Sequence, residues 1–427
     1  MKADHPFYHG KPVLRLIAVL TLFMPLVTAF GQTKPVTYTI KELVERSLQR
    51  NNLLLAGKSR IRESEYARKR SAEWYNPELG FQLGRKDSGG ESGPILGLSL
   101  TQKILFPGKM ALREEMARLE ENRSRLSQEE MELFIRYEVV RLAYEYAVMY
   151  NKTDHIRDRL KRLQLINTYM KGRLIVSPQK IVERRIVEAK IVILEKEVYK
   201  IGSDLRNVFA RLNLYAGFKE KEMPLVLTGW FSSPPALDEE DLDRKARKSS
   251  FVIRMQRENL KKTEKERELS GKEVYPDLGL SLFYNEEKAG VKDKIYGAGI
   301  SVPLPLFTRH KSMVEMYGAR ADSEMALLKH TEISVSARIK ELHAQYSYIS
   351  SILKRFPVSD LKKLEGAMRY ADREFRRGRL SLQTYLEMDT QTHELIEMIY
   401  STQLDFVRAY TELLFLASET RNIDGDK

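Results

Sequence analysis

The sequence predicts a mainly α-helical protein that also carries strands of membrane-spanning length, arranged as two tandem copies of one unit. Three observations predict it. Matching short motifs recur in the same order about half a chain apart. Four segments alternate apolar and polar residues. Long proline-poor stretches dense in Glu, Lys and Arg lie between them. The 427 residues carry a formal charge of +13, 42% hydrophobic residues and no cysteine. That apolar fraction suits a folded chain. The lack of cysteine excludes a disulfide scaffold, thiolate zinc sites, iron–sulfur clusters, a cysteine nucleophile and an acyl anchor on cysteine.

The amino terminus reads as an export signal. Lys2, Lys11 and Arg15 precede the charge-free apolar run Leu16 to Phe30, and Ala29-Phe30-Gly31 is a small-x-small exit with cleavage expected before Gln32. The run is shorter than the ~20 residues of a membrane span and contains Pro25. Residues 1–31 hold three basic residues and Asp4, so the mature charge is expected to be 13 − 2 = +11. An exported chain has little access to nucleic acid, and no basic–aromatic cluster is present, so the charge reads as solvated helix surface. No later segment is apolar enough for a transmembrane helix; contact with a membrane core would fall to strands.

The first structural repeat is read over 32–217 and the second over 238–418, with a linker at 218–237 and a tail at 419–427. Thr39-Ile40-Lys41-Glu42 opens a helix with a capping-box pattern, and Asp238-Glu239-Glu240-Asp241 does so 238 − 39 = 199 residues later. The first helix ends at Asn76-Pro77-Glu78-Leu79-Gly80 and the second at Tyr275-Pro276-Asp277-Leu278-Gly279, again 275 − 76 = 199 later. Gly97-Leu98-Ser99-Leu100 matches Gly299-Ile300-Ser301-Val302, Leu105-Phe106 matches Leu306-Phe307, and Gly172-Arg173-Leu174 matches Gly378-Arg379-Leu380.

Each repeat then predicts two strands, near 77–105 and near 276–305. Leu79, Phe81 and Leu83 alternate with Gly80, Gln82 and Gly84; Leu96, Leu98 and Leu100 alternate with Gly97, Ser99 and Thr101. The second pair repeats the pattern through Leu278, Leu280, Leu282, Tyr296, Ala298 and Ile300. Period two gives one apolar and one polar face, and each segment has about the ~10 residues that cross a bilayer when tilted. Four strands cannot close a barrel, and open strand edges cannot sit in lipid, so several copies would have to pool them: two would supply eight strands and three would supply twelve.

Long helices follow. The stretch from Gly108 to Met170 lacks proline, whereas its counterpart from Arg309 is broken by Pro357. Asn151-Lys152-Thr153-Asp154 is expected to form an equivalent joint in the first half. Turns at Gly172 and Gly378 reverse the chain. In the last helix Ile396, Ile399, Phe406, Val407, Tyr410 and Leu413 keep helical spacing, a narrow stripe suited to helices laid side by side. Leu225-Val226-Leu227 in the linker reads as a short strand.

With these pieces in order, the chain resembles the TolC family of bacterial outer-membrane efflux factors from about Tyr38 to Leu416. The residues that carry the likeness are Gly299-Ile300-Ser301-Val302-Pro303-Leu304-Pro305-Leu306-Phe307, Gln102-Lys103-Ile104-Leu105-Phe106-Pro107-Gly108-Lys109, and Gly378-Arg379-Leu380-Ser381-Leu382. The PLPLF and FPGK segments look most like the CzcC/CusC-type branch, which serves heavy-metal exporters of the resistance-nodulation-division class. The resemblance implies a homotrimer. Its long α-helices would form a coiled-coil barrel, and the four strands of each protomer would join a twelve-stranded outer-membrane β-barrel. It also implies a passive duct, working with a periplasmic membrane-fusion adaptor and an inner-membrane pump and surrounded by outer-membrane lipid, with the long helices in the periplasm. No acylated cysteine is available, so anchoring falls to the barrel.

The resemblance also points to residues. In the family, acidic side chains six and nine residues past the tip glycine line the narrowest part of the tunnel; here those places hold Thr384 and Glu387, with Asp389 nearby but off register. Three copies of Glu387 would make a cation-favouring ring. The family's closing tyrosine and arginine fall on Phe375 and Leu380, so that latch departs from the pattern. Gly172, Arg173 and Leu174, with Gly378, Arg379, Leu380 and Ser381, resemble the tips that adaptor hairpins use. No catalytic function is expected. The seven histidines (His5, His9, His155, His310, His330, His343 and His393) form no HExxH pair, and neither a phosphate loop nor a nucleophile elbow occurs. No cofactor or metal is called for. The competing reading is a periplasmic coiled-coil adaptor or scaffold outside any membrane, which would share the export signal and the helices but have no need of the strands.

Overall fold

The computed structural model describes residues 37–172, 177–219, 224–231, 233–304 and 310–421. The export signal, the tip pair Arg173-Leu174, the Pro305-Leu306-Phe307 segment and the end of the tail lie outside the described residues. The chain begins with β1 (Thr37–Thr39), α1 (Ile40–Arg50), α2 (Asn52–Ser71), β2 (Glu78–Ser88), β3 (Glu91–Ile104), α3 (Lys109–Lys171) and α4 (Pro178–Ala216). It continues with β4 (Leu225–Leu227), α5 (Glu239–Ser249), α6 (Phe251–Glu273), β5 (Leu278–Ala289), β6 (Val291–Ser301), α7 (Lys311–Arg355), α8 (Asp360–Arg376) and α9 (Leu382–Leu416). Among the described residues no helix is long and apolar enough to cross a membrane.

The helix starts are chemically explicit. The Thr39 hydroxyl accepts the Glu42 N–H at 3.3 Å, and Glu42 accepts the Thr39 N–H at 2.8 Å. Asp238 accepts the Asp241 N–H at 2.9 Å. Sequence periodicity reads one helix over each of these stretches; the structure has two. Asn51 is extended, and its side chain accepts the Leu53 N–H at 2.8 Å, so it ends α1 and caps α2. Ser250, at 250 − 51 = 199 residues further on, makes the same break between α5 and α6. Both residues are buried, so tertiary packing imposes a bend that propensity does not announce.

α3 spans 63 residues, roughly 95 Å at 1.5 Å per residue. It runs unbroken through Asn151–Asp154, where a joint was expected. Thr153 is buried there and donates its hydroxyl to the Met149 carbonyl at 2.7 Å, so the polar residue is satisfied within the helix. Only the second half is jointed: α7 stops before Pro357 and α8 starts at Asp360, as a residue without an N–H requires.

The four long strands form one antiparallel sheet in the order β2-β3-β5-β6, leaving β2 and β6 as open edges. Phe81 pairs with Leu98, Leu98 with Tyr284 and Tyr284 with Tyr296, so these four share a face. Leu79, Leu83, Leu282 and Ile300 lie on the same face, at 61–75% exposure. The opposite face is lined by Gly80, Ser99, Phe283 and Gly297, and by Thr101, Ser281 and Gly299. The β4 strand exists as expected; its partner is β1, in a parallel pair that the sequence reading did not contain.

Among the described residues α3 threads three hydrophobic clusters, the smallest joining its Val148 to Ile396 and Tyr400 of α9. The largest gathers Leu142 and Tyr144 with Phe209, Phe231, Ile339, Phe406 and Tyr410. The second packs Ile156, Leu163 and Ile166 against Val187 and Leu194 of α4, Met368 of α8 and Tyr385 of α9. The α9 stripe is buried throughout, from Ile396 to Leu413.

Candidate functional site at the helical tips

The two reversals use different backbone chemistry. Gly378 has φ +75°, the left-handed region that a side chain would strain, and its N–H bonds the Phe375 carbonyl at 2.9 Å while Arg379 N–H reaches Glu374 at 2.9 Å. Gly172 stays right-handed at φ −76°, so among the described tip residues the left-handed conformation belongs to Gly378. Glu374 also accepts ion pairs from Arg377 at 3.2 Å and Arg379 at 3.1 Å, fastening the turn from both sides. Ser381 caps α9 by accepting the Thr384 N–H at 3.1 Å.

Leu380 and Phe375 are half-buried against the second core. Phe375 packs its ring 5.3 Å from Tyr385 and 6.4 Å from Tyr169. The place where a latch tyrosine was looked for is therefore an aromatic packing position. Between the tips of the two halves lies a cavity of about 560 Å³ lined by Tyr169, Gln179, Lys180, Phe375, Arg379 and Leu380. Its lining mixes apolar side chains such as Met170 and Leu380 with charged ones such as Lys180, Glu183 and Arg184.

Thr384 and Glu387 share the exposed face of α9, and Glu387 accepts a 2.7 Å bond from Gln391 one turn on. Asp389, grouped with them by sequence, is placed elsewhere. It is buried, with Arg159 Nε at 2.7 Å and Arg162 at 3.8 Å. Two residues along a helix turn a side chain about 200°, which carries Asp389 into the seam between α9 and α3. Beside it His155 and His393 stack with their nearest nitrogens 3.3 Å apart. The sequence reading passed over this node. Its signal was the spacing His155-x3-Arg159-x2-Arg162 on α3 facing Asp389-x3-His393 on α9, two helical stripes of matching chemistry.

At the far end of α3 the FPGK segment has a structural role. Gly108 takes φ +87° to turn the chain from strand to helix. Lys109 is buried and donates to the Tyr275 carbonyl at 2.8 Å and to Asp277 at 2.9 Å, with Glu273 at 3.2 Å. Phe106 stacks on Tyr275 at 4.6 Å, and its N–H reaches Asp277 at 3.0 Å. Burial pushes the Asp277 carboxyl up, but the Lys109 and Phe106 hydrogen bonds outweigh it and hold the group below its ordinary value. One half of the chain thus grips the other where sheet meets helices.

No family model matches the sequence, and no curated protein matches it. Solved structures do. The chain aligns with CusC, described with its transmembrane channel formation, at a TM-score of 0.68 and 12% identity over 88% of this chain and 91% of that one. It aligns with the Campylobacter jejuni CmeC outer membrane channel at 0.68 and 13%, over 88% and 85%. The Neisseria gonorrhoeae MtrE outer membrane channel, in its open state, gives 0.68 and 12% over 89% of each chain. The fold is therefore that of an outer-membrane channel protomer, shared along almost its whole length.

Proposed function

We propose that this chain is a TolC-family exit duct of a tripartite efflux system, set in the outer membrane and passive in itself. The observation that carries the reading is the sheet. It presents a continuous exposed apolar face and two open edges at one end of very long helices. Soluble proteins rarely expose apolar patches beyond a few hundred Å², and open edges are not tolerated in lipid. Three copies would pool 3 × 4 = twelve strands, close every edge and turn the apolar face to lipid and the Gly/Ser/Thr face to the lumen. A periplasmic scaffold would have no use for such a face, so that alternative is not favoured.

In this reading the export signal is cleaved and no lipid is attached. Substrate leaves an inner-membrane pump of the resistance-nodulation-division type and passes through a periplasmic adaptor into the helical tunnel. The PLPLF and FPGK segments support a heavy-metal exporter. Thr384 and Glu387 face the tunnel at its narrow end, where three Glu387 carboxylates attract cations. The tips Gly172, Gly378, Arg379, Leu380 and Ser381, with Arg173 and Leu174, receive the adaptor. Outer-membrane fractions should contain heat-modifiable trimers, and Leu380→Asp should abolish adaptor crosslinking with trimers intact. A soluble monomer in periplasmic extract would overturn the duct; crosslinking retained in the variant would overturn the docking tip.

A further inference from the structure

The α3–α9 seam holds more charge than an apolar helix contact requires. From α3 come Lys152, His155, Arg159 and Arg162; from α9 come Asp389, His393 and Glu397; from α4 comes Glu197. Most are matched. Arg159 pairs with Asp389 at 2.7 Å, Lys152 with Glu397, and His393 Nε2 faces Glu197 at 3.7 Å. Two are matched poorly. Arg162 reaches Asp389 only at 3.8 Å and its Nε is buried without a hydrogen-bond partner, and among the described residues no carboxylate lies within ion-pair distance of His155. The neighbour of His155 is His393, whose ring lies parallel to it within 11° at a centroid distance of 5.5 Å.

We propose that this node is an acid-released clasp: neutral imidazoles hold α9 on α3, and protonation of His155 between His393 and the two arginines parts the helices and frees the α8–α9 tip. The charges set the order. A first proton settles on His393, where Glu197, Glu397 and Asp389 offset Arg159. A second, on His155, meets a charged imidazole and two guanidinium groups with no carboxylate in reach, and at these separations repulsion in a half-buried seam is worth several times its value in water. Burial, then His393, Arg162 and Arg159, push His155 from its ordinary 6.5 to about 3. Burial, then Arg159, also pushes His393 down, against the pull of Glu197. Both groups bind protons more readily once the seam opens. The clasp is therefore complete above about pH 6.5 and weakens as pH falls toward about 3.

Because Asp389 lies two residues from Glu387, release here moves the segment that leads into the tip. The inference concerns the seam itself and stands apart from the channel reading. The lack of cysteine permits a direct test on the full chain. Spin labels at Asp158→Cys on α3 and Glu394→Cys on α9, both exposed, report the helix separation by double electron–electron resonance after dilution with unlabelled chain. Between about pH 7.5 and about pH 4 the separation should lengthen by about 2 Å to one helical turn, about 5.4 Å. His155→Phe keeps the ring stack, cannot take the proton, and should hold the neutral-pH distance throughout; His155→Gln gives the same reading should the phenyl ring misfit. The variants keep every carboxylate, so they separate this clasp from general acid denaturation. An unchanged distance in the parent, or equal lengthening in the histidine variants, overturns the proposal.

Discussion

Replacing Lys109 with methionine would test whether the sheet–helix junction is held by charge. The side chain is 2% exposed and has three oxygen partners within 3.2 Å. Methionine fills much the same volume but leaves Asp277 and Glu273 facing each other and the Tyr275 carbonyl without its donor. Breaking a buried pair from one side costs about 3–5 kcal/mol. The lower end applies, because Asp277 retains Phe106 N–H and Lys103 at 3.4 Å, and Glu273 retains Arg113 at 3.2 Å. With an unfolding entropy of about 2.1 cal/mol/K per residue, about 3 kcal/mol corresponds to a fall in Tm of about 3–4 °C for a chain of this length. The assay is differential scanning fluorimetry of detergent-purified protein at fixed scan rate, since irreversible unfolding of a large chain is read as a rate. Adding Asp277→Asn should recover part of the loss. A Tm within about 1 °C of the parent would refute the reasoning, since a grip worth about 3 kcal/mol cannot vanish silently.

The two tip glycines should differ. Gly378→Ala forces a side chain to φ +75° and should cost about 1 kcal/mol and expose the turn to limited proteolysis, whereas Gly172→Ala at φ −76° should be neutral. Asn51→Ala removes a 2.8 Å cap and should destabilise by about 1 kcal/mol in thermal scans. Ser250→Ala should cost less in the same scans, because Ser250 makes no side-chain cap bond. In reconstituted pores Glu387→Gln should weaken block by divalent cations and alter single-channel conductance; identical block would remove Glu387 from the constriction.

Period-two alternation made the strands legible, because a sheet with one face out repeats its chemistry every second residue. Leu79, Phe81 and Leu83 fall on the exposed face as the pattern requires. The long helices and the break at Pro357 were equally plain, since proline acts through its own covalent structure. The bends at Asn51 and Ser250 were not, since both residues are tolerated within helices and become breaks only because the core pulls them in. The joint expected at Asn151–Asp154 failed for a related reason: polarity alone does not end a helix when Thr153 can bond back to Met149. At the tip, counting from Gly378 by the family likeness picked out Thr384 and Glu387, which the structure leaves exposed on α9; Asp389, named beside them although off that register, is buried against Arg159, 230 residues away. Long-range pairings such as Lys109 with Asp277 leave no local trace, although FPGK marked one end of that one.

The account stands on the exposed apolar face of the sheet and its two free edges finding closure in sister copies. Single-channel recording of the purified protein in planar bilayers reads this most directly. Discrete, stable conductance steps from an assembly of three chains are the predicted result. Protein that stays monomeric in detergent and adds no current to the bilayer would contradict it.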